Sequence, residues 1–245
     1  MKKVLITGAN KSIGLETARQ LLQKGYYVYL GSRNLDNGQV AVEKLKAEGL
    51  NNIEAIQIDV SDQESVKTAR TEIGKKTDVL DVLINNAGVS GGMAQTAITA
   101  DIAAFKQVFD TNFFGTVLVT QAFIDLLHKS PYPRIVNVTS GLASLILQSD
   151  PTWKYYQFKA AVYSSSKAAL NMYTIALAYE LRDTAFKVNA VDPGFTATDL
   201  NGHTGTGTVE DAAARLVKCA SIDASGATGK FFSDDNSPET GISPW

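Results

Sequence analysis

The sequence predicts an α/β protein, in which a single doubly wound domain spans residues 1–245 and a seven-stranded parallel sheet is flanked by helices. Short apolar runs rich in β-branched residues alternate with longer segments of helical periodicity along the whole chain. The helical segments end in glycine, as at Gly25, Gly49 and Gly74. No linker, charge block or low-complexity stretch divides the chain. Strands that alternate with helices form right-handed βαβ units, and such units build a parallel sheet covered on both faces.

Each element follows from its own stretch of this pattern. In the first helix, Ile13, Thr17, Leu21 and Leu22 recur at the spacing of one helical face. The predicted strands cover residues 3–7, 26–31, 53–58, 79–84, 134–138, 186–191 and 229–232. The predicted helices cover residues 12–25, 37–49, 62–74, 101–128 and 160–182. Sheets of this kind bind ligands beyond the carboxyl ends of their strands, so the residues that follow each strand are candidates for a functional site.

The composition argues against several classes of protein. With 44% hydrophobic and 20% charged residues, the chain has ample apolar material for a core. A net charge of -2 favours neither nucleic acid nor an anionic membrane surface as a partner. No apolar run approaches the ~20 residues of a membrane span, and the run at residues 4–6 is too short for a signal peptide, so we expect a cytoplasmic protein. The single cysteine, Cys219, excludes an internal disulfide, and His128 and His203 have no ligand-like neighbours, so no metal site is expected.

A glycine turn, "TGANKSIG", follows the first strand. Gly8 allows a tight exit from the strand, and Gly14 allows the next helix to pack close to the sheet. The N-terminus of that helix offers free N–H groups and a positive dipole to a pyrophosphate. Ser12 brings a side chain to this turn, and its hydroxyl can donate a hydrogen bond or cap the helix. Taken alone, the turn is explained equally well by strand-to-helix packing.

Further motifs follow the other strands and helices in order. They are "IDV" at the third strand, "NNAG" after the fourth, "DTNFFGT" in a long helix, "IVNVTS" at the fifth strand, "YSSSK" in the next helix and "DPGFTAT" after the sixth strand. Each motif is weak by itself, since each residue could be an ordinary turn, loop or surface position. Together and in this order they resemble the short-chain dehydrogenase/reductase family over essentially the whole chain. Ser12 stands where the family's glycine turn, T-G-x-x-x-G-x-G, has its middle glycine.

The resemblance implies a Rossmann-type fold that holds a nicotinamide cofactor along the strand ends. The cofactor-binding residues that it implies are Gly8, Asn10, Lys11, Ser12, Ile13, Gly14, Arg33, Asp59, Val60, Asn86, Ala87, Gly88, Tyr163, Lys167, Pro193, Gly194, Phe195, Thr196 and Thr198.

Tyr163 and Lys167 lie four positions apart and therefore on one face of a helix. A nearby ammonium stabilises a phenolate, so we expect Lys167 to lower the pKa of Tyr163 from its usual value of about 10. The family mechanism implies that Tyr163 is the acid/base and that Lys167 also holds the nicotinamide ribose. It further implies that Ser140 polarises the substrate carbonyl and that Asn112 supports Lys167 through water.

The cofactor is expected to be NADP(H). An NAD enzyme of this fold usually carries an acidic residue at the end of the second strand, about 20 residues past the glycine turn. Here that strand ends "YLGSRN", with no carboxylate before Asp36. Arg33 offers a planar set of donors to a phosphate dianion, and Lys11 adds a second positive charge. Each could instead be a solvated surface cation, but two that converge on one phosphate position favour NADP(H) over NAD(H).

Two segments are predicted to form walls of a substrate pocket. Ser140 and Tyr163 are 23 positions apart, and segment 141–160 between them is long and aromatic, which resembles carbonyl-reductase-like members of the family. The alternative is a surface loop with its own packed aromatic side chains. Segment 195–210 is rich in glycine and is predicted to be a mobile lid, with a disordered loop as the alternative. The apolar side chains of segment 141–160 predict a largely apolar substrate.

The sequence thus predicts an NADPH-dependent carbonyl reductase or alcohol dehydrogenase that acts on a small carbonyl or alcohol. One alternative is a non-catalytic dinucleotide sensor on the same fold, against which Tyr163 and Lys167 argue. A second is a cofactor-independent, dehalogenase-like lyase, against which Gly8, Gly14 and Lys167 argue. Neither nucleic acid nor a membrane is an expected partner. The helices at "TVLVTQAFIDLL" and "AALNMYTIALAYEL" are apolar almost all round, which predicts a homodimer or homotetramer.

Overall fold

The computed structural model describes residues 1–92 and 95–245. One sheet contains seven strands, all parallel, in the order β3-β2-β1-β4-β5-β6-β7, with helices on both faces, so the predicted fold class is confirmed. The strands are β1 (Lys3–Ile6), β2 (Tyr27–Ser32), β3 (Ile53–Gln57), β4 (Val82–Asn85), β5 (Arg134–Val138), β6 (Lys187–Val191) and β7 (Phe231–Phe232). The chain builds outward from β1 to β3 and then returns to the other side of β1 with β4. This reversal leaves a crevice between the carboxyl ends of β1 and β4.

Eight α-helices cover the two faces of the sheet in the described part of the chain. They are α1 (Ser12–Gln23), α2 (Leu35–Ala47), α3 (Gln63–Gly74), α4 (Ile102–Phe109), α5 (Gly115–His128), α6 (Leu145–Ser149), α7 (Ala161–Glu180) and α8 (Val209–Ala220). The helix predicted at residues 101–128 is divided by a π-helical turn, Asp110–Phe114.

Helix α8 was not predicted, although its N-terminus carries a recognisable signal. Thr208 caps the helix by accepting a hydrogen bond from the backbone N–H of Asp211 (3.1 Å). A threonine followed three positions later by an acidic residue is a start signal for a helix. The glycines of segment 195–210 obscure this signal, because they favour a loop up to the residue where the helix begins. In the structure α8 packs against α1.

Two hydrophobic clusters form the core, one on each face of the sheet. In β1, Val4 and Ile6 belong to the cluster under α1 and α8, whereas Leu5 belongs to the cluster under α3 and α5. Alternate residues of a strand point to opposite faces, so a strand buried on both sides is apolar throughout. This explains why the strands appear in the sequence as continuous apolar runs. None of the helices that the structure describes has both the length and the apolar character needed to cross a membrane.

We expect the chain to form a homodimer or homotetramer. Phe114, Met172 and Tyr179 are 51%, 60% and 66% exposed on the π-helical turn and on α7. These two elements are neighbours, since the rings of Phe113 and Tyr173 have centroids 6.4 Å apart. Burying such side chains stabilises association by about 25 cal/mol per Å². Light scattering at micromolar concentration should give a multiple of the 26.3 kDa chain mass, and Met172→Glu should lower it. A wild-type mass of one chain would contradict this expectation.

Candidate active site

The glycine turn has no room for side chains at its two glycines. Gly8 has a φ of 62°, and a Cβ there would lie 2.9 Å from the Cα of Ala87. A Cβ on Gly14 would lie 2.6 Å from both the carbonyl oxygen of Gly8 and Nδ2 of Asn86. The same Asn86 Nδ2 donates hydrogen bonds to the carbonyl oxygens of Thr7 (2.9 Å) and Gly8 (3.0 Å). Asn86, from "NNAG", therefore fixes the shape of the glycine turn.

Ser12 is the first residue of α1 and does not cap it. The N-cap residue is Lys11, whose side chain makes no capping hydrogen bond, so the capping alternative for Ser12 is wrong. The Ser12 Oγ is buried and has no hydrogen-bond partner in the described part of the chain. Its backbone has a φ of 54°, a conformation that L-residues seldom adopt. The first N–H groups of α1 have no partner within the helix, because helix geometry leaves them free.

Replacing Ser12 with glycine should stabilise the protein. The left-handed conformation costs an L-residue about 1–2 kcal/mol, and the extra freedom of glycine in the unfolded chain offsets about 0.5–1 kcal/mol. We expect Ser12→Gly to have a higher free energy of unfolding than Ser12→Ala, by roughly 0.5–1 kcal/mol in chemical denaturation. Ser12→Ala is the matched control, since it removes the unpartnered hydroxyl but keeps the Cβ. An alanine variant as stable as the glycine variant would show that this position is not strained.

A cleft of about 580 Å³ opens at the carboxyl ends of the strands. It brings together most of the residues predicted to bind the cofactor. Those that line it are Gly8, Asn10, Lys11, Ser12, Ile13, Gly14, Arg33, Asp59, Val60, Asn86, Ala87, Gly88, Tyr163, Lys167, Pro193 and Thr198. The predicted residues outside its lining are Asn112, Ser140, Gly194, Phe195 and Thr196. A glycine cradle beside an unpartnered hydroxyl at a helix N-terminus fits the pyrophosphate of a dinucleotide.

The cleft also contains residues that we did not predict. Gln107 and Thr111 contribute from α4 and the π-helical turn, and their spacing of four places them on one helical face. This spacing is the signal that could have identified them. Loop residues 89–92 also line the cleft, as do Thr139 beside Ser140 and Asp199 beside Thr198.

An ion pair crosses the cleft from the glycine turn to segment 195–210. Nζ of Lys11 lies 2.7 Å from Oδ2 of Asp199, and Nε2 of His203 lies 2.8 Å from Oδ1. Hydrogen bonds from Lys11 and then from His203 lower the pKa of Asp199. The segment is built from defined turns, since Thr198 and Asn201 form a reciprocal capping box. Its predicted role as a lid stays a prediction.

Tyr163 and Lys167 lie on α7 and face the same cleft. Nζ of Lys167 is 5.9 Å from the centre of the Tyr163 ring and donates a hydrogen bond to the carbonyl oxygen of Val138 (2.7 Å). Lys167 is only 3% exposed, and burial lowers its pKa to about 8. Tyr163 and Lys167, the pair predicted from the sequence, therefore lie beside the carboxyl end of β5.

The pKa of Tyr163 is raised, which is opposite to our expectation from Lys167. Burial of the phenolate is the largest cause, followed by the negative charge of Asp192. A hydrogen bond from the Ser140 hydroxyl acts in the other direction. Oγ of Ser140 itself accepts from the backbone N–H of Leu142 (3.2 Å). Burial and the charge of Asp192 therefore favour the protonated form of the Tyr163 phenol.

Asn112 lies in the π-helical turn and is fully buried. Its Oδ1 accepts from the backbone N–H of Val89 (2.8 Å), and its Nδ2 donates to the Val89 carbonyl (3.0 Å) and to Oγ of Ser166 (3.0 Å). A Cβ on Gly88 would be 3.4 Å from Asn112 Oδ1 and 3.6 Å from Lys167 Nζ. The two side chains thus converge on Gly88, and a link between them through water stays a prediction.

Gln95 is a residue of this site that the sequence analysis missed. Its Oε1 accepts a hydrogen bond from the backbone N–H of Tyr163 (2.9 Å), and its carbonyl accepts from the N–H of Ala161 (3.0 Å). Its Nε2 donates to the carbonyls of Ser90 (2.6 Å) and Gly92 (2.7 Å). The N-cap residue of α7 supplies no side-chain cap, so Gln95 caps this helix from a distant loop. Nothing in the local sequence indicates this contact.

Segment 141–160 packs against the C-terminal segment, residues 233–245. Trp153 Nε1 donates to Oδ1 of Asn236 (3.0 Å), and Lys154 forms an ion pair with Asp235 (2.8 Å). The Tyr155 ring packs edge-on against Phe195, with centroids 6.2 Å apart. Among the residues that the structure describes, none from segment 141–160 lines the cleft. Its role as a substrate-pocket wall stays a prediction.

The fold and the cleft together define a class of protein. A doubly wound parallel sheet with a glycine turn after its first strand, and a cleft at the strand ends, is the architecture of dinucleotide-binding proteins.

The chain belongs to the short chain dehydrogenase family, whose model matches residues 2–208. It is 34% identical to a short-chain dehydrogenase from Penicillium roqueforti, across 95% of this chain and 94% of that protein. It is 32% identical to (+)-neomenthol dehydrogenase from Capsicum annuum, across 93% of this chain and 94% of that protein. NADPH-bound carbonyl reductase from chicken fatty liver superimposes with a TM-score of 0.84 at 26% identity, and 100% of this chain and 99% of that one are covered. The chain is therefore a member of an oxidoreductase family that uses nicotinamide cofactors.

Proposed function

We propose that the chain is an NADP(H)-dependent carbonyl reductase or alcohol dehydrogenase for a small, largely apolar substrate. The observation that carries this proposal is the placement of Tyr163 and Lys167 in a cleft that Lys11 and Arg33 also line. A proton donor and a dinucleotide-sized site with two cations are what reduction of a carbonyl by NADPH requires. The named activities of the relatives, a dehydrogenase of neomenthol and a carbonyl reductase, support the same chemistry.

The residues of the site have separate tasks in this reaction. When bound, the nicotinamide cofactor supplies or takes up the hydride. Tyr163 gives its phenolic proton to the carbonyl oxygen, or accepts one from the alcohol in the reverse direction. The Ser140 hydroxyl orients and polarises the same oxygen. The ammonium of Lys167 stabilises the phenolate left after proton transfer and offers donors to the cofactor ribose.

The proposed preference for NADP(H) rests on the cations of the cleft. Arg33 follows β2, is exposed and lines the cleft, and Lys11 lines it from the glycine turn. Asp36 lies in the first turn of α2, outside the cleft lining, so no carboxylate takes the position at the strand end that favours a ribose 2′-hydroxyl. Guanidinium and ammonium groups both bind a phosphate dianion.

An apolar substrate is supported by the surface beside Ser140. Leu145, Ile146 and Phe158 are 70%, 62% and 60% exposed on segment 141–160. Leu145 and Ile146 begin α6, shortly after Ser140 and its 3₁₀ turn. Exposed apolar side chains on the segment that follows a candidate catalytic serine are consistent with a binding surface for an apolar molecule.

Absorbance of the reduced cofactor tests the proposal. Purified protein is supplied with NADPH or NADH and a panel of aldehydes, ketones and quinones, and with the oxidised cofactors and secondary alcohols. We expect consumption of NADPH with at least one carbonyl substrate. Binding of cofactor without turnover of any substrate would favour a non-catalytic dinucleotide sensor. Loss of substrate in the absence of cofactor would favour a cofactor-independent, dehalogenase-like lyase. Either result would overturn the proposed function.

A further inference from the structure

The side-chain amide of Gln95 connects two elements that line the cleft. Its Oε1 accepts a hydrogen bond from the backbone N–H of Tyr163 (2.9 Å), at the start of α7. Its Nε2 donates to the carbonyl oxygens of Ser90 (2.6 Å) and Gly92 (2.7 Å), which belong to the cleft loop, residues 89–92. Tyr163 and the cleft loop line the cleft, whereas Gln95 lies outside its lining. Gln95 therefore acts on the site through the residues that it holds.

A glutamine side chain fits these three partners. A backbone N–H can only donate a hydrogen bond and a carbonyl oxygen can only accept one, so the partners fix which end of the amide faces each of them. The two hydrogens of Nε2 match the two loop carbonyls, and Oε1 matches the N–H of Tyr163. Gln95→Glu would keep the acceptor for Tyr163 but would turn an oxygen towards the loop carbonyls. Gln95→Met, with a side chain of similar length, would lose all three contacts.

The first turn of α7 depends on Gln95 because the helix has no cap of its own. The first N–H groups of a helix have no partner within it, and the N-cap residue Ala160 supplies no side-chain acceptor. Gln95 supplies two acceptors, since its backbone carbonyl accepts from the N–H of Ala161 (3.0 Å) and its Oε1 accepts from Tyr163. The N–H of Ser164 then donates to the carbonyl of Ala160 (2.8 Å) within the helix. Tyr163 is the third residue of α7, so without this cap it would lie in a turn that frays.

A second chain of hydrogen bonds ties Tyr163 to the cleft loop. Asn112 binds Val89 at both its N–H (2.8 Å) and its carbonyl (3.0 Å). Nδ2 of Asn112 also donates to Oγ of Ser166 (3.0 Å), whose hydroxyl donates to the backbone carbonyl of Tyr163 (2.7 Å). Tyr163 is therefore anchored to the cleft loop at both its N–H and its carbonyl, and Gln95 provides the first of these anchors.

The cleft loop also packs closely against α7. Gly91 and Gly92 have φ values of 80° and 84°, in the region where glycine is favoured. A Cβ on Gly91 would lie 2.6 Å from Cγ2 of Val108 on α4 and 3.3 Å from Cγ1 of Val162 on α7. Val162 directly precedes Tyr163. The cleft loop and the first turn of α7 are therefore in direct contact, and the hydrogen bonds join elements that already touch.

We propose that Gln95 is a positioning residue of this active site: by holding the backbone of Tyr163 to the cleft loop, it keeps the phenol in place for proton transfer to a carbonyl substrate. The proposal rests on the function proposed above, because it takes Tyr163 as the proton donor. Proton transfer needs a donor and an acceptor about 2.6–3.2 Å apart. A displacement of about 1 Å can lower a rate by about 10²-fold. A side chain that fixes the first turn of α7 therefore controls kcat without touching the substrate.

Two substitutions separate the contact with Tyr163 from the contacts with the cleft loop. Gln95→Met removes all three hydrogen bonds of the side chain, and we expect kcat for carbonyl reduction to fall roughly tenfold or more. Gln95→Glu keeps an acceptor for the Tyr163 N–H, and a carboxylate is favoured at a helix N-terminus, so its kcat should lie nearer to that of wild type. The KM for the carbonyl substrate should rise in both variants, because both release the cleft loop. The Kd for NADPH should stay close to that of wild type in Gln95→Met, since the glycine turn is unchanged.

Hydrogen exchange of the protein without cofactor tests the contact independently of any activity. Mass spectrometry follows the backbone amides of residues 160–167 in wild type, Gln95→Met and Gln95→Glu. Loss of the helix cap should speed exchange in this segment on the order of fivefold in Gln95→Met, and less in Gln95→Glu. The matched control is Gln39→Met, which makes the same change at an exposed position of α2, outside the cleft lining. It should alter neither the exchange of this segment nor kcat.

Three results would overturn the proposal. One is a folded Gln95→Met variant that keeps the kcat of wild type. Another is an equal loss of kcat in both variants, since the cap kept by Gln95→Glu would then have no effect on Tyr163. The third is a fall in kcat that only follows the fraction of folded protein, with faster exchange along the whole chain, which would make Gln95 a purely structural residue. If Gln95→Met does not fold by circular dichroism, Gln95→Ala removes the same contacts and carries the same expectation.

Failure of the proposed function gives a different pattern of results. Wild type would then turn over no carbonyl compound, while exchange of residues 160–167 would still be faster in Gln95→Met. In that case Gln95 is a cap of α7 and nothing more, and its positioning role in catalysis is wrong together with the proposed function.

Discussion

Replacing Tyr163 with phenylalanine is expected to lower kcat by about 10²–10⁴-fold and to leave cofactor binding nearly unchanged. The substitution removes only the phenolic hydroxyl, which carries the transferable proton. The aromatic ring stays on α7 in the lining of the cleft. The Ser140 hydroxyl still accepts from the N–H of Leu142, so the turn that carries it is unaffected. The loss should therefore appear in kcat and not in the Kd for NADPH, measured by fluorescence titration.

The matched control is Tyr179→Phe, which makes the same chemical change on the same helix. Tyr179 is 66% exposed and does not line the cleft, so kcat should not change. If Tyr163→Phe retained near-normal kcat on every active substrate, Tyr163 would not be the proton donor. A loss of kcat together with a loss of secondary structure would mean instead that the phenol is needed for folding.

Arg33→Ala is expected to raise the KM for NADPH at least tenfold and to leave kcat/KM for NADH unchanged. A charge-assisted hydrogen bond contributes roughly 1.5–3 kcal/mol, and each 1.4 kcal/mol corresponds to a factor of about ten. Only the 2′-phosphate distinguishes the two cofactors, so the loss should be confined to NADPH. Steady-state kinetics with both cofactors measure it. Arg182→Ala, which removes an exposed arginine at the end of α7, is the matched control.

Lys11 is expected to contribute less than Arg33, because it is already paired. Its Nζ lies 2.7 Å from Asp199, and a 2′-phosphate must compete with this carboxylate for the ammonium. Lys11→Ala should therefore raise the KM for NADPH less than Arg33→Ala does. Asp199→Asn should lower that KM, since it releases the lysine. Equal kcat/KM for NADH and NADPH in the unmutated protein would show that neither Arg33 nor Lys11 contributes to binding of the 2′-phosphate.

The fold could be predicted because its signals are local. The seven strands appear as separate apolar runs, and the helices between them have their own periodicity and glycine stops. The boundaries were less accurate: β4 begins at Val82 and not at residue 79, and β7 has two residues and not four. Strand ends depend on pairing with neighbours, which the sequence of one strand does not contain. The π-helical turn around Asn112 was missed for a similar reason, since its side chain bonds to Val89 and Ser166.

The candidate site was predicted in part. Residues that directly follow strands, such as Gly8, Asp59 and Gly88, line the cleft because parallel strands end at the same edge of the sheet. Tyr163 and Lys167 share a helical face by their spacing alone. Gln95 has no local pattern, since its partner Tyr163 is 68 positions away in sequence.

The sequence by itself determined the alternation of strands and helices, the position of the glycine turn and the spacing of Tyr163 and Lys167, since each is visible in residues within a few positions of one another. Only the tertiary structure decided which charges meet: Lys11 with Asp199 across 188 positions, and Asp192 with Ser233 across 41. It also decided the direction of the Tyr163 pKa, which burial and Asp192 raise where the spacing to Lys167 predicts a fall. The free energy of a charge depends on the solvent it loses and on every charge brought near it. Both quantities exist only once distant parts of the chain are packed together.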